Sequence, residues 1–75
     1  MQVNVFSEGV FWNKVSSIET TLQSKISLIE VKENRSKVKL LYGLLESAKF
    51  AMIIGRPKRA WSFYYLAYKV SNTLL

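Results

Sequence analysis

The sequence predicts an all-α fold, an up-down-up bundle of three helices, from three observations. Apolar residues recur at steps of three and four through most of the chain, a single Gly-x-Pro break punctuates it, and strict alternation holds only from Gln2 to Phe6. A chain of 75 residues suits one domain, spanning 1–75. Its hydrophobic fraction of 49% is ample for a core. A domain this short still buries only about 60% of the surface its unfolded chain exposes. Some apolar surface is therefore expected to be left for a partner.

The first helix is read from Phe11, Val15, Ile18, Leu22, Ile26 and Ile29, whose steps of four and three trace one helical face. Ser7 can cap its start, and Glu8 suits the positive end of the helix dipole. The opposite face, from Asn13 through Ser16, Thr20, Gln23 and Ser27, is polar. The helix is placed at about 8–31.

Lys32-Glu33-Asn34-Arg35-Ser36 then forms an uninterrupted polar run, with Asn34 or Ser36 as N-cap of a second helix at about 35–54. Val38, Leu41, Leu45, Ala48 and Met52 make its first apolar stripe, and Leu40, Leu44, Ala51 and Ile54 a second beside it. Apolar around most of its girth, this helix is expected to lie between the other two. Gly43 weakens it by roughly 1 kcal/mol relative to alanine. The glycine either admits a neighbouring helix closely or is simply tolerated.

Gly55 followed by Pro57 is the sharpest punctuation in the sequence. Glycine supplies the left-handed residue that ends a helix, and proline suits the first turn of the next. The third helix is placed at 57–74 with Ala60, Phe63, Tyr64, Ala67, Val70 and Leu74 facing inward. Short connections make consecutive helices antiparallel, hence the up-down-up order.

Catalytic residue types are scarce. Cysteine, histidine and aspartate are all absent, which removes disulfides, thiolate or imidazole metal sites and the Ser-His-Asp and Cys-His arrangements. The glutamates are scattered, and glycines at 9, 43 and 55 build no phosphate loop. We expect no enzyme, no cofactor and no bound metal. The N-terminal residues lack the pattern of a secretory signal, and Glu46 and Lys49 interrupt the apolar region from Leu40 to Ile54. A soluble, cytoplasmic chain with no membrane partner is the expectation.

The charge points to binding. The net +6 is uneven: residues 1–33 carry three lysines against four glutamates, whereas residues 34–75 carry eight cations against Glu46 alone, a net +7. Such asymmetry favours an anionic partner, although a basic surface can also serve solubility alone. Within Gly55 to Tyr65 lie three cations, Arg56, Lys58 and Arg59, and four aromatics, Trp61, Phe63, Tyr64 and Tyr65. Helical spacing puts Lys58, Trp61 and Tyr65 on one face, and Lys69 is a further candidate contact residue. Rings beside cations serve single-stranded nucleic acid, where bases stack and phosphates pair. Large aromatics with arginine also anchor protein interfaces. The structural alternative buries the tyrosine rings and leaves their hydroxyls wet. A second basic cluster, Arg35, Lys37 and Lys39, opens the second helix roughly thirty ångströms from the Gly55 turn at 1.5 Å per residue. Two separated clusters suit an elongated partner better than a small anion.

Ala48, Gly55, Ala60 and Ala67 space small residues across the second turn. In this the hairpin resembles tetratricopeptide-like hairpins and small archaeal three-helix domains. In size, charge, helical pattern and lack of cysteine and histidine, the whole chain resembles the small basic accessory subunits of the crenarchaeal replicative family-B DNA polymerase. The resemblance implies a protein that docks on the polymerase and supports DNA replication within its holoenzyme, and it carries over no catalytic residue. The expected function is a noncatalytic accessory subunit docking on a larger nucleic-acid-processing protein, with Arg56, Arg59, Trp61 and Tyr65 at the contact. A stand-alone nucleic-acid-binding protein using the same residues with Lys37 and Lys39 is the alternative, and a homo-oligomer burying its spare aromatic surface is a third.

Overall fold

A computed structural model of the chain describes residues 8–26 and 31–74, with the backbone alone at 31–33. These residues form three α-helices: α1 (Glu8–Lys25), α2 (Val31–Ile53) and α3 (Pro57–Leu74). Among the described residues there is no strand. The expected Ser7 cap, the alternating segment Gln2 to Phe6 and Ile29 lie outside them.

The periodic stripes become the core. Phe11, Val15, Ile18 and Leu22 of α1 are buried, as are Leu41, Leu45, Ala48, Ala51 and Met52 of α2 and Ala60 and Ala67 of α3. Phe63, Tyr64, Val70 and Leu74 pack half-buried against that cluster. The small residues matter here: Ala48, Ala60 and Ala67, each fully buried, let α2 and α3 lie close together. Ser71, also buried, satisfies its hydroxyl by donating to the Tyr68 carbonyl at 2.7 Å.

The turn between α2 and α3 follows the chemistry of its two punctuating residues. Gly55 has φ +80°, the left-handed conformation that a Cβ disfavours. Its N–H donates to Met52 O at 3.1 Å, and Arg56 N–H donates to Ala51 O at 2.8 Å. This pair of bonds is a Schellman motif, closing carbonyls that the end of α2 would otherwise leave open. Pro57 then takes the first position of α3, and the Arg56 carbonyl accepts the first helical bond from Ala60 at 3.0 Å.

Three expectations need correction. First, α1 ends at Lys25, with Ile26 in a turn, rather than at about 31; α2 begins at Val31 rather than 35. The polar run Lys32–Ser36 is thus helical, so neither Asn34 nor Ser36 is an N-cap. No glycine or proline interrupts 31–38, and polarity alone does not stop a helix. Second, α2 does not lie between its neighbours. It packs chiefly on α3, and α1 rests against both. The excess apolar residues of α2 therefore stay in solvent, with Leu40 52%, Phe50 62% and Ile53 71% exposed. Third, of the two roles open to Gly43 the close approach is not found among the described residues: a Cβ built there would meet no atom within 4 Å, which leaves a tolerated glycine.

Candidate functional site

A cluster of ring contacts holds α1 on the hairpin, and it determines which aromatics remain available. The ring of Phe11 meets Trp61 edge-on, with centroids 5.4 Å apart, and Tyr64 at 6.5 Å. Trp61 and Tyr64 are themselves edge-to-face at 5.5 Å, and Trp12 closes on Phe11 at 5.3 Å. Such geometry sets the positive ring edge against a negative face and adds to the burial. Trp61 is consequently half-buried, a structural ring more than a free platform. Burial, with the neighbouring Tyr68 second, disfavours the phenolate and raises the pKa of the Tyr64 hydroxyl above its ordinary value.

Of the sequence-predicted rings, Tyr65 is the exposed one, at 57%. Lys69, one helical turn on, holds its Nζ 4.8 Å from the Tyr65 ring centre. Lys58, Trp61 and Tyr65 line one shallow groove with Ser62, Tyr64 and Leu66. The face drawn from helical spacing is therefore present, although its tryptophan is committed to Phe11.

Arg56, Lys58 and Arg59 are all exposed at the hairpin turn. They line a second groove, together with Pro57, Ser62, Phe63 and Leu66. Arg59 also enters a third, beside Glu46, Ser47, Phe50, Ala51, Ile54 and Phe63. No residue of α1 lines either of these two grooves. Arg35, Lys37 and Lys39 are exposed near the opposite end of α2. Among the described residues, none of these six cations has a carboxylate within ion-pair distance.

The residues that sequence reasoning missed are the apolar partners of those cations. Phe50 and Ile54 are 62% and 49% exposed, and Leu66 48%. Helical spacing does assign them: Leu40, Ser47 and Ile54 stand seven apart on α2, while Arg59, Phe63, Leu66 and Val70 step by four, three and four on α3. What spacing cannot say is whether a third helix covers them. In the structure α1 lies against Trp61, Tyr64 and Lys49 instead.

Among the described residues, no group of three acidic or metal-ligating side chains could hold a metal ion, and no helix is long and apolar enough to cross a membrane. No protein-family model, curated protein or solved structure matches the chain.

Proposed function

We propose that this chain is a noncatalytic accessory subunit that docks on a larger nucleic-acid-processing protein, such as a replicative DNA polymerase, through the turn end of its α2–α3 hairpin. The observation that carries this reading is the union of Arg56, Lys58 and Arg59, none ion-paired among the described residues, with exposed Phe50, Ile54 and Leu66. Cations alone would serve any polyanion, whereas apolar side chains beside arginine are what a protein interface desolvates. Up-down-up is the helix order we infer, and it is compatible with the pairings Phe11–Trp61 and Glu19–Lys49.

A second reading, direct binding of single-stranded nucleic acid, is favoured by Tyr65, whose exposed ring lies beside Lys58 and Lys69. Salt titration of DNA and RNA binding separates the two. Direct binding must weaken steeply with salt, in proportion to the phosphates neutralised. The docking reading expects no complex at moderate salt without the partner protein. A tight, steeply salt-dependent complex that Tyr65→Ala abolishes would replace it with the second reading.

A further inference from the structure

We propose that the face of the hairpin turned away from α1 receives an acidic amphipathic helix of the partner protein. This inference rests on the accessory-subunit reading and names the partner segment. The face is built from two stripes. On α2 the groove is lined from Ser47 to Ile54, with Phe50 at its edge, and exposed Leu40 extends the stripe one heptad back; on α3 it is lined by Arg59, Phe63 and Leu66. From residue 40 to 54 its length is about 21 Å at 1.5 Å per residue, close to four turns of a bound helix. An apolar channel between two helices is the usual seat of a third, read by side chains spaced i, i+3, i+4 and i+7.

The charge around the channel selects among occupants. At one end stand Arg56, Lys58 and Arg59, and toward the other Arg35, Lys37 and Lys39, none of them ion-paired among the described residues. Lys39 precedes Phe50 by eleven residues, three helical turns, and so lies on its side of α2. Among the described residues lining the groove Glu46 is the single acidic one, and it already accepts from Lys49 at 3.0 Å. A second copy of this chain laid on the face, parallel or antiparallel, would set cations against cations at both ends. A helix with glutamate or aspartate flanking its apolar stripe meets opposite charge at both ends instead.

The test uses the full chain as bait for a displayed library of helical peptides with randomised surface positions. Enriched peptides should combine a helical apolar stripe with flanking carboxylates. The affinity of one such peptide should fall at least tenfold with Phe50→Ser or Arg59→Glu. It should survive Arg59→Lys and stay within twofold with Tyr65→Ala. Arg59→Glu is a safe variant because an acid in the first turn of α3 suits the helix dipole, and circular dichroism should show the fold kept. The inference is overturned if nothing is enriched, if enriched peptides are basic, or if Tyr65→Ala rather than Phe50→Ser weakens binding. A wild-type dimer dispersed by Phe50→Ser in sedimentation would also overturn it, making a second copy the occupant. Capture of a large partner equally well by wild type and Phe50→Ser would sink this inference and leave the accessory reading intact. Capture of no partner by any form would sink the accessory reading itself.

Discussion

Lys49 donates from Nζ to Oε2 of Glu19 at 2.6 Å, joining α2 to α1 at a point where both side chains are about three-quarters shielded from solvent. The same ammonium reaches Glu46 of its own helix at 3.0 Å, three residues back. This pair ties α1 to the hairpin by charge, in addition to the apolar packing around Phe11. Partial shielding makes it worth somewhat more than an open surface pair. Lys49→Gln should destabilise the chain by about 1 kcal/mol, and a double-mutant cycle with Glu19→Gln should return a coupling of roughly 0.5–1 kcal/mol in urea unfolding.

Two groups then set the alkaline limit. The hydrogen bond from Lys49 to Glu19 outweighs its desolvation and raises its pKa above the ordinary 10.5; burial raises that of Tyr64 above 10.0. In both cases the protonated form is the one the fold favours. Their contribution is whole below the unfolded values and is lost as pH rises through the folded ones. Stability measured by chemical denaturation should thus be level in these two groups across neutral pH and decline above about pH 10. Lys49→Gln should flatten part of that decline.

Gly43, inside α2, and Gly55, in the turn that follows it, respond oppositely to alanine. Gly43 has helical backbone and open space around its missing side chain, so Gly43→Ala should stabilise by about 0.5–1 kcal/mol. Gly55 also has open space, but its φ of +80° penalises any Cβ, so Gly55→Ala should destabilise by about 1–2 kcal/mol. Thermal unfolding of the two variants checks both signs.

Aromatic truncations should separate structure from surface. Phe11 is fully buried among Trp12, Trp61 and Tyr64, and Phe11→Ala should cost about 3–5 kcal/mol, much of what a domain of this size has. Tyr65 is 57% exposed, and Tyr65→Ala should stay within about 0.5 kcal/mol. Tryptophan fluorescence during unfolding reports both, since Trp61 lies in the same cluster.

Much of this was legible in the sequence where chemistry leaves one option. Phe11, Val15, Ile18 and Leu22 share a face and are all buried, and Gly55 with Pro57 makes the turn that their backbone preferences require. The junction between α1 and α2 was not legible, because the polar residues from 32 to 36 suit a helix as well as a loop and carry no breaker. Trp61 and Tyr65 looked alike as candidate rings. Their difference comes from Phe11, fifty residues earlier than Trp61, and local spacing holds no record of that contact. Phe50 and Ile54 pass for core by composition. Only the position of α1 reveals them as surface.

The most direct test of the docking claim is capture from nuclease-treated extract of the source cells, comparing wild type with an Arg56→Glu, Arg59→Glu double variant. Mass spectrometry should identify one larger nucleic-acid-processing protein, retained by wild type at moderate salt and lost by the variant. Recovery of the bait alone, or of the same proteins by wild type and double variant alike, would contradict it.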